Sequence, residues 1–121
     1  MAKIFLDVNI LVDIVHRGIQ YDIEVKHIYY ISPLTIHVLI YLSRNKKKEF
    51  IKRIVSKLNI IDFTESIAIK ALEGPVKDYE DNVQLHSATQ KDCELFYTKD
   101  KELLHLGYFG AVKIIDPTVL S

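Results

Sequence analysis

The sequence predicts an α/β fold, a parallel sheet flanked by helices in three layers. Short β-branched or aromatic runs alternate with helical patterns from end to end, which calls for parallel strands joined by helical crossovers. One of those runs ends on Asp7 and another delivers Asp100 just past its carboxyl end, as ligand-binding strands of open α/β sheets do. A length of 121 residues suits a single domain over 1–121, large enough to bury a core without disulfide or structural metal.

The first strand centres on Ile4-Phe5-Leu6 and runs into Asp7. Ile10, Leu11, Ile14 and Val15 recur at helical spacing after it, with Asn9 as the expected cap and Asp13 one turn on, read as a solvated or early-helix acid. Arg17-Gly18 ends that helix, and Tyr21 to His27 has room for only one or two turns. Ile28 to Ser32 forms a second strand, and Ser32-Pro33 opens a helix so apolar all round that it reads as the central core helix. A basic second helix follows to about Leu58, with Phe50, Ile51, Ile54, Val55 and Leu58 as its apolar stripe. Asn59 to Phe63 is a third strand. Thr64 caps the next helix, with Ile67, Ala68, Ala71 and Leu72 inside and Gly74-Pro75 as its stop. The following helix begins at Asp78-Tyr79-Glu80-Asp81, and Asp81, Leu85 and Ala88 share the face turned to the sheet. Leu95 to Thr98 is a fourth strand leading into Asp100. A short helix over Lys101 to Leu106, a turn over Gly107 to Gly110 and a strand from Val112 to Ile115 close the chain.

Sixteen basic and sixteen acidic residues cancel, which excludes a large nonspecific grip on nucleic acid. A local patch remains: Arg44 to Lys57 holds seven cations against Glu49, and Lys46, Lys47, Lys48 and Arg53 are weak candidates for RNA contact beside the plainer reading of a solvated helix face. The single Cys93 has no pairing partner and no metal-ligand spacing around it, pointing to a reduced, cytoplasmic setting and a small apolar residue inside a helix. No long uncharged run suggests a signal peptide or membrane span. His86 and His105 read as structural or surface residues.

Asp7, Asp81 and Asp100 come from distant segments that this layout can bring to one crevice. Clustered carboxylates raise one another's pKa unless a cation sits among them, and oxygen donors without a His/Cys cluster favour Mg²⁺ or Mn²⁺ over zinc. A dication held in that way suits phosphodiester hydrolysis. Asn9 and Thr98 are supporting candidates, able to orient a carboxylate or to serve as ordinary cap and strand-end residues.

Phe-Leu-Asp-Val-Asn-Ile-Leu-Val-Asp at 5–13, Ser-Pro-Leu-Thr-Ile-His at 32–37, Asp-Tyr-Glu-Asp-Asn-Val-Gln at 78–84, Tyr-Thr-Lys-Asp at 97–100 and Ile-Ile-Asp-Pro at 114–117 resemble, in order, the motifs of PIN-domain proteins. The nearest branch is the VapC-type toxin nucleases. The resemblance implies a metal-dependent endoribonuclease, RNA as substrate, an antitoxin protein as partner and a homodimer. It assigns the family's acids to Asp7, Asp81 and Asp100, as catalytic residues and as ligands for Mg²⁺ or Mn²⁺. Where the family pattern has a Glu in the second helix this chain has Val38, with Glu80, Glu102 and His37 as the nearest substitutes. The segment between Asp13 and the second strand is also short for the family.

Two alternatives stand beside the nuclease. A degenerate PIN domain would bind RNA or an antitoxin without cutting, a reading favoured by Val38. An aspartyl phosphatase or phospho-receiver would also use an acid after an apolar strand, but Asn9 stands where such phosphatases carry a second acid.

Overall fold

The structure, a computed structural model, describes residues 1–21, 23 and 26–118. Part of the Tyr21–His27 connection therefore lies outside the described residues. The chain runs β1 (Lys3–Leu6), α1 (Val8–His16), β2 (Ile28–Ile31), α2 (Pro33–Leu42), α3 (Lys48–Val55), β3 (Asn59–Ile60), α4 (Glu65–Glu73), α5 (Tyr79–Gln90), β4 (Leu95–Tyr97), α6 (Lys101–Leu106), β5 (Tyr108–Phe109) and β6 (Val112–Ile115).

The strands form one six-stranded sheet in the order β3-β2-β1-β4-β6-β5. Every pairing is parallel except β5 with β6. The antiparallel pair corrects the expected Gly107–Gly110 turn: Gly107 and Gly110, both at positive φ, flank a two-residue strand and its turn. β1 lies at the centre, with β2 on one side and β4 on the other, so the chain reverses its direction of travel across the sheet there. A topological switch point opens a crevice beyond the carboxyl ends of these strands.

Two buried clusters cover the sheet. On one side Ile4, Leu6, Ile10, Leu11, Val15, Ile31, Leu39 and Ile51 join β1 and β2 to α1, α2 and α3. On the other, Phe5, Leu85, Ala88, Phe96, Leu103 and Ile114 join the central strands to α5 and α6. Alternate residues of β1 thus enter opposite cores, as the two-residue period of a strand requires. Phe5 and Phe96 pair across β1 and β4 with ring centroids 5.2 Å apart and planes 11° from parallel.

Several helices differ from expectation. α2 is not buried on several sides: only Thr35 and Leu39 are buried, while Tyr41 is 74% exposed and Leu42 is 51% exposed. A helix on the flank of a four-residue strand has only one face to cover, whatever its other faces carry. Leu72 likewise lies outside, at 72% exposure, because Ile67 and Ala71 supply the face of α4 packed on Val83 of α5. Cys93 is buried beyond the end of α5 and not within it; its N–H donates to the Ala88 carbonyl. The third strand is cut to Asn59–Ile60 at the sheet edge. Asn9 does not cap α1; Asp7 holds the N-cap position and Asn9 is exposed within the helix. Asp13 is buried, accepting hydrogen bonds from Tyr21 and from Arg17 at 2.7 Å, so it anchors the chain leaving α1. No helix among the described residues is long and apolar enough to cross a membrane.

Truncating Phe96 to alanine removes half of the stacked pair at the sheet centre. Phe96→Ala is expected to cost about 3–5 kcal/mol in urea unfolding.

Candidate active site at the carboxyl ends of β1 and β4

Asp7 leaves β1 at the sheet's centre, its N–H donating to the Tyr97 carbonyl at 2.9 Å, and its side chain is fully buried. A carboxylate withdrawn from water is costly unless donors face it. Two do. Gln84 Nε2 donates to Oδ1 at 2.8 Å and Thr98 Oγ1 donates to Oδ2 at 2.7 Å.

Both donors are fixed by a second bond. Gln84 Oε1 accepts the Val8 N–H at 2.8 Å, the first amide of α1. An amide N–H only donates, so this contact orients the Gln84 carboxamide with its nitrogen toward Asp7. Asp7 makes no cap bond to its own helix, and Gln84 satisfies that helix end instead. Thr98 Oγ1 accepts the Asp100 N–H at 2.9 Å, which ties the clamp to the loop after β4. Asp100 caps α6, with Oδ1 accepting the Leu103 N–H at 3.0 Å. Its second oxygen has no partner among the described residues.

Asp81 stands in the first turn of α5, whose start is held by Asp78 Oδ1 accepting the Asp81 N–H at 3.0 Å. Buried Asn82 ties that start to α4, donating to the carbonyls of Ala71 at 3.0 Å and Val76 at 2.8 Å. The Asp81 carboxylate is half-buried and has no hydrogen-bond or ion-pair partner among the described residues. Burial pushes it up to about 7, helped by the charges of Asp7, Asp78, Asp100 and Glu80. Burial also raises Asp7, against the bonds from Thr98 and Gln84 and the nearby Asn9 N–H; Asp100 adds to the rise. The three predicted acids therefore act on one another electrostatically, and the supporting role of Thr98 is a direct bond to Asp7.

Other candidates are more distant or otherwise engaged. Val38 packs half-buried against the apolar cluster under α2. Glu80 is half-buried and raised by burial, Asp78 and Asp7, with His37 lowering it, which puts both substitutes beside the crevice. Glu102 is exposed on α6. His86 contacts the Gly74 carbonyl at 2.9 Å and the edge of Phe109, a packing role. His105 is exposed at the end of α6. Gln84 is the residue that sequence reasoning missed, although it closes the Asp-Tyr-Glu-Asp-Asn-Val-Gln motif and lies three positions after Asp81, on the same helix face.

The donor set fits a hard dication. It offers an unpartnered Asp81 carboxylate, the free oxygen of Asp100 and spare lone pairs on Asp7, with no cation among the principal charges acting on Asp7 or Asp81. No three His, Cys, Asp or Glu groups among the described residues converge as a ready-made cage. Mg²⁺ needs none, because it is held by one or two carboxylates and keeps its waters.

The fold is PIN-like, a mostly parallel sheet flanked by helices whose strand order reverses at β1. Solved structures share this fold. VapBC2 from Rickettsia felis, bound to a DNA fragment from its promoter, superposes with a TM-score of 0.69 at 18% identity over 94% of this chain and 98% of that one. FitAB bound to IR36 DNA gives 0.68 at 18% identity, over 98% and 97% of the two chains. VapC20 of Mycobacterium tuberculosis, a sarcin-ricin loop cleaving toxin, gives 0.68 at 13% identity, over 91% and 98%. No protein-family model and no curated protein matches the chain.

Two outcomes follow from the geometry. Gln84→Leu strands the Val8 N–H and removes a donor from a buried carboxylate, so urea unfolding should show a loss of about 3 kcal/mol. Between about pH 4 and 7 folded Asp81 keeps a proton that the unfolded chain has released, so metal-free stability falls as pH rises through that window. Asp81→Asn should lessen this fall, to which the raised Asp7 and Glu80 also contribute: in thermal melts with chelator its Tm exceeds the parent's at pH 8, and the gap closes near pH 4.

Proposed function

We propose that this chain is a divalent-metal-dependent endoribonuclease of the toxin–antitoxin kind, with Asp7, Asp81 and Asp100 holding Mg²⁺ or Mn²⁺ in a one-domain cytoplasmic protein. The observation that carries the reading is a fully buried Asp7, clamped by Gln84 and Thr98, beside an unpartnered Asp81 raised to about 7 by burial and, after it, by the surrounding acids. Such a cluster is electrostatically unfavourable alone and stabilised by a dication. A bound dication polarises a phosphoryl oxygen and acidifies water, the chemistry of phosphodiester cleavage. The chain's own residues orient that site: Gln84 and Thr98 fix both oxygens of Asp7, and α6 fixes Asp100 through its cap. The fold is shared with toxins solved in complexes and with one that cleaves the sarcin-ricin loop, which supports RNA as substrate and an antitoxin as partner. A homodimer is part of the same reading.

Val38 favours a second reading, a domain that binds RNA or antitoxin without cutting. Calorimetric titration with Mn²⁺ and cleavage of RNA separate the two. The nuclease reading expects Mn²⁺ binding, lost in Asp7→Asn, and cleavage reduced in that variant by more than the ~10–100-fold typical of outer-shell changes. Absence of Mn²⁺ binding to the unmodified protein, or cleavage indifferent to Asp7→Asn, would overturn it.

A further inference from the structure

The outer face of α2 carries two aromatic rings with no core to enter. His37 and Tyr41, one turn apart, are both exposed and stack with centroids 6.5 Å apart and planes 23° from parallel. Tyr41, at 74% exposed, is a large flat surface held in water. The chain then turns tightly through Arg44 and Asn45, both at positive φ, into α3, where the Arg53 guanidinium lies 5.8 Å from the centre of the half-exposed Phe50 ring. On that turn and on α3, Arg44, Lys46, Lys48, Lys52 and Arg53 are exposed, and Glu49 is the only acid between Arg44 and Lys57. Lys47 is separate from them, its Nζ donating to the Val15 carbonyl at 3.0 Å and holding the turn against α1.

We propose that this face is a track for single-stranded RNA entering or leaving the acidic crevice, with bases stacked on His37, Tyr41 and Phe50 and phosphates met by Arg44, Lys46, Lys48 and Arg53. The inference rests on the nuclease reading and names the surface that would hold its substrate. Aromatic faces interleaved with cations are what unpaired nucleic acid requires, since each base offers a π-face and each nucleotide a charge. In a chain of zero net charge, this local excess is where phosphate would be attracted. The track starts beside the site: α2 leaves the carboxyl end of β2, the parallel neighbour of β1, and Asp7 stands at the carboxyl end of β1. An acidic peptide would satisfy the cations but leave the stacked rings without a flat partner, so RNA is favoured.

The test is fluorescence anisotropy with a labelled mixed-sequence RNA of about 12 nucleotides, in an Asp7→Asn background that leaves the probe intact. Tyr41→Ala should weaken binding about tenfold and Tyr41→Phe should preserve it. Lys46→Ala with Lys48→Ala should flatten the salt dependence by about 1.4 in log–log slope, while Lys70→Ala with Lys91→Ala, elsewhere on the surface, leaves it unchanged. RNA bound as tightly by the Tyr41→Ala and lysine variants as by their parent overturns the track. If the unmodified protein nevertheless cuts RNA, the nuclease reading survives that result. Absence of RNA binding and cleavage, with a glutamate-rich peptide captured on this face, overturns both.

Discussion

A carboxylate with no access to water is among the most expensive groups a small domain can bury, and the centre of this protein is arranged around one. Asp7 is tolerable only because Gln84 and Thr98 each present a hydrogen to one of its oxygens. Those donors come from α5 and from the end of β4, about eighty and ninety residues away in sequence, so the clamp exists only when β1 and β4 are in register and α5 lies across them. The Phe5–Phe96 stack, two residues before Asp7 on β1 and two before Thr98 on β4, sets that register from within the core.

The clamp also divides labour at the start of α1. An aspartate in the N-cap position would ordinarily turn back to its own helix. Here the Gln84 carbonyl oxygen takes the first amide of α1, and the Asp7 carboxylate turns to the crevice. One glutamine therefore ends a helix, orients an acid and locks α5 to the sheet. Thr98 does the same on the other side, joining Asp7 to the backbone of Asp100. The acids are held in place by neutral donors, so their mutual repulsion is left uncancelled, and it adds to the burial that raises Asp81.

Other parts of the molecule bear less on that centre. The α4–α5 pair meets through Ile67, Ala71 and Val83, and Asn82 stitches its loop to the start of α5, which fixes where Asp81 stands. Burial, not charge pairing, does this work: the only ion pair among the described residues joins Arg17 to Asp13 and involves none of Asp7, Asp81 and Asp100. Six of the sixteen cations, Arg44, Lys46, Lys47, Lys48, Lys52 and Arg53, stand on α3 and the turn before it.

The sequence by itself determined the alternation of strands and helices, the two strands leading into Asp7 and Asp100, the cap Thr64 and the helix starts at Ser32-Pro33 and Asp78, because these depend on local periodicity and on side chains reaching neighbouring amides. It named Asp7 and Asp100 because an acid placed just past an apolar run is visible in one dimension, and Asp81 from the acidic start of a helix and the resemblance of residues 78–84. It misjudged α2, Leu72 and the cap of α1, since hydrophobicity says that a face can be buried, not that another element will cover it. Only the tertiary structure decided that Gln84 matters, because an amide's role is set by what stands opposite each of its ends. The partners of Gln84 are seventy-six and seventy-seven residues away, at a distance no spacing rule spans.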